Sequence, residues 1–213
     1  MSLKQDAYNI IKAKIIKCEY LPNALLNEDM LKEELQMSRT PVRDALSRLE
    51  QEHLVKIIPK KGFTVTGISL NDAEKVYEVR MLLEPHALEI YGHKIAAHVY
   101  EGLAEQFTRA ISSVPVDTIF EEDDDFHSLI IEATDNSYII QAYRYPYVQN
   151  IRLRAISGHY GEKRLERSQA EHMAIINACL KQEWKKAASA LNTHLESSLQ
   201  TFREIIAYQN MRF

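Results

Sequence analysis

The sequence predicts a mainly α protein in two parts, an N-terminal winged helix-turn-helix followed by a C-terminal all-α antiparallel helical bundle. Three observations carry this. The first 66 or so residues read helix, helix, helix, β-hairpin; everything after Ser69 has helical periodicity; and the two parts differ in charge. Residues 1–69 hold 11 Lys and Arg against 9 Asp and Glu, whereas residues 70–213 hold 15 against 21. A small basic module joined to an acidic partner suits a polyanion on one side only. The reading divides the chain into domains at 1–67 and 68–213.

The elements follow in order. Residues 4–18 form an amphipathic helix with a stripe of Ile10, Ile11, Ile15 and Ile16, broken at Leu21-Pro22-Asn23. Asn27 caps a short second helix over 28–35, with Met30, Leu31 and Leu35 inward. Ser38 caps a third helix through Gln51, buried along Val42, Ala45, Leu46 and Leu49. Residues 54–58 and 62–66 are β-branched and aromatic, and Pro59-Lys60-Lys61 between them makes a hairpin with a basic tip. Ser69-Leu-Asn-Asp72 is a capping box that opens a long helix to about His93. Further helices are expected over 99–112, 117–133, 137–157, 165–181 and 184–208, with Gly158 and Gly161 marking one break.

Composition narrows the function classes. Hydrophobic residues at 46% and charged residues at 26% describe an ordinary globular chain. No apolar run reaches the ~18 residues of a membrane span, and Cys18 and Cys179 form no CxxC pair. The expectation is a soluble, cytoplasmic protein with reduced thiols and no membrane partner.

The third helix opens Ser38-Arg39-Thr40-Pro41-Val42-Arg43. A helix N-terminus offers unsatisfied N–H groups to a phosphate, and Ser38 and Thr40 add hydroxyls. Arg39 and Arg43, four apart, project from the face opposite the apolar one, and arginine bridges O6 and N7 of guanine in the major groove. Lys60 and Lys61 are placed to meet phosphates or a minor groove. Two arginines alone read equally as a solvated basic face; helix-turn-helix context and a basic wing turn them into a DNA-reading surface. From Met37 to Glu50, with Leu54-Val55 and Pro59-Lys-Lys-Gly-Phe-Thr-Val65, the chain closely resembles the DNA-binding domain of the GntR family of transcription regulators. That resemblance implies contact of Arg39, Thr40, Arg43 and the wing around Gly62 with double-stranded operator DNA. The sequence departs from the family at three turns. Leu21-Pro22-Asn23 stands where Pro-Gly is usual, Gln36 precedes Met37 where Gly is usual, and His53 replaces a common Gly.

In the second part, Asp123 and His127 are four apart on one helix, while His172 and His194 lie on the last two. Inward projection at one level would assemble three imidazoles and a carboxylate, a set suited to Zn, Ni or Mn. Spacing alone leaves them as scattered histidines on amphipathic helices. However, Asp123-Asp-Asp-Phe-His127, Asn136, Glu171-His172 and His194 resemble the FCD effector domain of the FadR-like GntR subgroup, in which an Asp and three His hold a metal. Arg80-Met-Leu-Leu-Glu84 also matches, and the resemblance implies that Arg80 approaches a small carboxylate effector. The residues themselves read equally as an exposed i,i+4 ion pair. Asp124 and Asp125 are expected to face solvent, and Phe126 to pack. Arg152 and Arg154 either charge the cavity or, for at least one, face solvent. His53, His86, His93, His98 and His159 are read as surface or helix-end residues.

These readings converge on a homodimeric, ligand-responsive regulator, a repressor or activator of a metabolic operon. The rival class is a metalloenzyme acting on a small organic acid. The chain lacks HExxH, GxSxG and P-loop patterns, and the DNA-binding module would have no purpose in an enzyme. A third reading is a regulator whose bundle only dimerises.

Overall fold

The computed structural model describes residues 2–157 and 162–210, so the break expected at Gly158 and Gly161, and His159, lie outside the described residues. The chain divides into two compact units. One holds the residues up to Ser69 together with Ile151–Ile156, and the other holds Leu70–Asn150 with the residues from Ser157 onward.

The first unit has three helices and a small sheet. Helix α1 (Leu3–Ile16) starts where the Ser2 hydroxyl accepts from the Gln5 N–H, and it buries Ala7, Tyr8, Ile11 and Ile15. The expected stripe was too wide: Ile10 is exposed, because it lies one residue, about 100°, off the 7–11–15 line. Helix α2 (Glu28–Leu35) is capped as expected, Asn27 Oδ1 accepting from the Met30 N–H at 2.7 Å. It buries only Leu31, with Met30 turned outward and Leu35 half-buried. Helix α3 (Arg39–Gln51) buries Pro41, Val42, Ala45, Leu46 and Leu49 against α1 and α2.

Strands β2 (Val55–Ile58) and β3 (Gly62–Val65) pair antiparallel, Val55 opposite Val65 and Ile58 opposite Gly62. A strand the sequence did not reveal, β1 (Leu25–Leu26), pairs with the other edge of β3. Two residues are too few to show a period of two. Gly62 sits at φ +105°, and a Cβ there would lie 2.8 Å from the Leu26 carbonyl oxygen. Its glycine is demanded by this close approach of β1 to β3. The three turns that depart from the family's glycines nevertheless take left-handed conformations: Asn23 at φ 67°, Gln36 at 54° and His53 at 58°.

The second unit is helical. It comprises α4 (Leu70–Tyr91), α5 (Ala97–Phe107), α6 (Val116–Glu132), α7 (Ser137–Ser157, of which Ile151–Ile156 belong to the first unit), α8 (Glu162–Leu180) and α9 (Trp184–Asn210). Helix α4 runs along α9 and touches α6, while α8 lies between α5 and α9. Val76, Tyr77, Phe126, Ile175, Leu191 and Phe202 are among the side chains filling the core. Helix α5 ends earlier than expected. The Thr108 hydroxyl turns back onto the Ala104 and Glu105 carbonyls, and a 3₁₀ turn, Ile111–Ser113, leads to Pro115.

Candidate functional site

Two groups of side chains stand out, one in each unit. In the first unit, Ser38 occupies the N-cap position of α3, but its side chain makes no capping hydrogen bond. Ser38, Arg39, Thr40 and Arg43 are all exposed, as are Lys60 and Lys61 at the wing tip, where the Lys61 N–H closes the turn onto the Ile58 carbonyl. Both arginines are engaged within the unit. Arg43 donates from Nε and Nη2 to the two carboxylate oxygens of Glu28, each at 2.8 Å. Arg39 donates from the same two nitrogens to Asp29 Oδ1 at 2.9 and 2.7 Å. Glu28 and Asp29 open α2, where the helix dipole favours acids. These partners lie 15 and 10 residues away, beyond the reach of any local pattern.

In the second unit, Asp123, His127, His172 and His194 converge as one group, each offering a ligand atom within 4.8 Å of the others. The histidines are buried and Asp123 is partly so. Ring contacts show how tightly they meet: His172 and His194 have centroids 4.3 Å apart, and His127 stacks on His194 at 5.3 Å. Phe107 stacks on His172 at 4.5 Å and Phe126 presents its edge at 5.1 Å, so apolar rings wall this side.

The outer nitrogen of each imidazole is fixed. His172 Nδ1 lies 2.8 Å from the Ser168 carbonyl oxygen, which can only accept, so this nitrogen carries the proton. His127 Nδ1 lies 2.6 Å from Glu84 Oε2, and His194 Nδ1 lies 2.9 Å from Glu171 Oε2. Burial works to raise the pKa of both glutamates. For Glu84, Arg80 and His127 outweigh it, and for Glu171, His194 and Arg164 do, leaving each at about 2. Both are therefore ionised acceptors. Burial, together with neighbouring imidazoles, pushes His172 and His194 below the usual histidine range, toward the neutral form. A neutral imidazole protonated at Nδ1 has its lone pair on Nε2. His127 Nε2 and His172 Nε2 are buried without a hydrogen-bond partner, although His172 Nε2 is 3.3 Å from Asp123 Oδ1. Buried ring nitrogens left without partners are costly, and a cation held between these imidazoles and Asp123 would satisfy both.

Arg80 and Glu84 do pair, but not on an exposed face: both are buried, with Arg80 Nε 2.6 Å from Glu84 Oε1. The Tyr143 hydroxyl donates to the same oxygen at 2.7 Å. Asp124, expected in solvent, is buried instead, and its charge helps raise the pKa of Tyr143, which burial and Glu84 raise more. Asp125 is exposed and Phe126 packs, as expected. Arg152 and Arg154 are both buried, so neither faces solvent. Arg152 donates to the Thr66 carbonyl within the first unit. A groove of about 610 Å³ between α6 and α7 is lined by Asp125, Ser128, Tyr143 and Arg144 among others, but by none of the four cluster residues.

A winged helix-turn-helix with a basic reading face, in a chain that continues as a helical bundle, defines a two-part DNA-binding regulator. The comparisons with known proteins specify which kind. Residues 3–65 match the family model described as bacterial regulatory proteins, gntR family, and residues 75–197, more than half the chain, match the FCD domain. The chain belongs to the GntR family of transcription regulators, in the subgroup that carries an FCD domain.

Similar proteins include the HTH-type transcriptional regulator YdhC of Bacillus subtilis (strain 168), 24% identical over 93% of this chain and 90% of that protein. The HTH-type transcriptional repressor RspR of Escherichia coli (strain K12) is 25% identical over 95% and 90%. Among solved structures, E. coli McbR/YncC matches with a TM-score of 0.80 at 18% identity, covering 96% of this chain and 98% of that one. A GntR regulator from Rhodococcus sp. RHA1 matches at 0.82 and 18%, covering 96% and 99%. Family and relatives are regulators, not enzymes, which removes the metalloenzyme reading. Among the described residues, no helix is long and apolar enough to cross a membrane.

Proposed function

We propose that this chain is a ligand-responsive repressor of a metabolic operon. Its bundle uses a divalent metal ion, Zn, Ni or Mn, to assist binding of a small carboxylate effector. Asp123, His127, His172 and His194 would hold the metal, and Arg80 would meet the acid. Residues 1–67 would bind operator DNA through Ser38, Arg39, Thr40, Arg43, Lys60, Lys61 and Gly62, while 68–213 would sense and dimerise. The observation that carries the metal is the convergence of three Nδ1-anchored imidazoles with Asp123. When bound, the metal supplies open coordination positions for carboxylate oxygens. The chain's own part is to hold the three imidazoles buried, anchored at Nδ1 and walled by Phe107 and Phe126.

Repression is supported by RspR and by the gluconate operon transcriptional repressor of Bacillus subtilis (strain 168), 27% identical over 61% of this chain. A homodimer in the cytoplasm would suit palindromic operators with half-sites about one helical turn apart. Arg80 lies on α4, which begins at Leu70, shortly after β3 ends at Val65. An effector that shifts α4 would thus change the spacing of two recognition helices. Its leverage is limited to its own difference in affinity for the two arrangements, ~1–3 kcal/mol.

Metal analysis of purified protein tests the reading, with His172→Ala and His194→Ala beside it. The expected result is one equivalent of metal in the wild type. Both variants should lose it after dialysis against a weak chelator and no longer respond to effector, while still binding DNA. Stoichiometric metal in His172→Ala would overturn the assignment, and so would a metal-free wild type that takes up none of the three ions.

A further inference from the structure

The metal reading names four ligands, and the structure places two further carboxylates behind them. We propose that Glu84 and Glu171 are positioning residues of the metal centre, each turning one imidazole so that its Nε2 faces the centre, and that Glu84 also ties the centre to Arg80. This rests on the metal reading and goes beyond its ligand set.

The three histidines are anchored differently. His127 and His194 each give their Nδ1 proton to a carboxylate, whereas His172 gives its proton to a backbone carbonyl. An anion behind an imidazole raises the basicity of the opposite nitrogen and fixes the ring plane; a neutral carbonyl fixes the plane with less electronic effect. His127 and His194 are thus the stronger donors. His172 is oriented as much by its stack on Phe107 as by its hydrogen bond.

Neither glutamate is a ligand itself. Both oxygens of Glu84 are taken, Oε2 by His127, and Oε1 by Arg80 and Tyr143, so one buried carboxylate joins α4, α6 and α7. Glu171 Oε2 takes His194 and Arg164, while Oε1 takes the Ser197 hydroxyl and Arg167. Through Glu84, an anion that draws on the Arg80 guanidinium also acts on the carboxylate that holds a metal ligand. The Arg80 contact and the metal site are therefore also linked through the protein, beside any direct bond of the acid to the metal.

The test uses Co²⁺ as the probe, because its paramagnetism shifts the ring N–H protons of ligating histidines out of the protein envelope. Glu171→Gln is the primary variant. The amide still fills the space: its single carbonyl oxygen can keep the His194 bond while its NH2 donates to the Ser197 hydroxyl, and Arg164 keeps its bonds to Ser198 and Thr201. Glu84→Gln is the second, since Arg80 loses its partner there and the fold itself is put at risk.

Wild-type protein should take up one Co²⁺ and show three exchangeable shifted N–H resonances. Glu171→Gln should bind Co²⁺ about 10–100-fold more weakly in competition with a chromophoric chelator. It should displace one resonance, and Glu84→Gln, if folded, a different one. Wild-type affinity with all three resonances in place in Glu171→Gln would overturn the proposal. So would displacement of all three, which signals general loosening. A wild type that binds no Co²⁺ removes the metal reading, and the proposal with it.

Discussion

Arg43 and Glu28 meet fork to fork, two parallel hydrogen bonds of 2.8 Å joining the reading helix to the first turn of α2. The guanidinium expected to read guanine is thus already bound to an acid in the free protein. Glu28→Gln removes that charge while keeping an acceptor. The expected outcome is tighter binding to any duplex, by up to ~1 kcal/mol, the usual ceiling for an exposed pair. Anisotropy titrations at matched salt check this, and weaker binding would show that the pair is needed intact on DNA.

Arg39→Ala and Arg43→Ala should each weaken specific binding by ~1–3 kcal/mol if the side chain makes a bidentate base contact. Lys60→Ala and Lys61→Ala should weaken all duplexes alike and flatten the dependence of log K on log salt by about one ion each. The measurement is a salt series on a selected site and on a scrambled one. Unchanged specific binding in Arg43→Ala would take α3 out of the groove.

The left-handed turns make a prediction about stability. Gln36 and His53 are exposed residues held at φ 54° and 58°, where a Cβ is strained and glycine is not. Gln36→Gly and His53→Gly should each stabilise the first unit by roughly 0.5–1 kcal/mol, the larger chain entropy of unfolded glycine offsetting part of the relief. Chemical denaturation followed by circular dichroism is the check.

Arg80→Ala would remove the proposed acid contact, but the structure makes it a poor probe. It leaves the buried Glu84 carboxylate without its cation, a loss of ~3–5 kcal/mol. Arg80→Lys keeps a positive charge near Glu84 and gives up the planar fork. It should keep the metal, fold, and lose the thermal shift expected when small carboxylates are added to the wild type. An undiminished shift would place the acid elsewhere.

How much of this was legible beforehand depends on range. The face of α3 and the bounds of α2, α6 and α7 follow from local periodicity and caps, and the structure agrees within a residue or so. Asp123 and His127 declare themselves by their i,i+4 spacing, but His172 and His194 joined them only through the family resemblance. Glu84 lies 43 residues from the histidine it orients. Such a pairing leaves no periodic trace, so this glutamate read only as the partner of Arg80. The outward reading of Asp124 failed for a related reason: it is buried by the tertiary fold, and a run of five acidic residues carries no sign of which one turns inward.

Ser38 opens α3 with its hydroxyl unused in capping. Side-chain caps typically stabilise a helix end by about 1 kcal/mol, so the reading helix is under-secured at the end that would face DNA. Its first-turn amides should therefore exchange with solvent quickly in the free protein and slow sharply on a duplex, where phosphate oxygens complete the cap. On this view the operator finishes the fold of the helix that reads it.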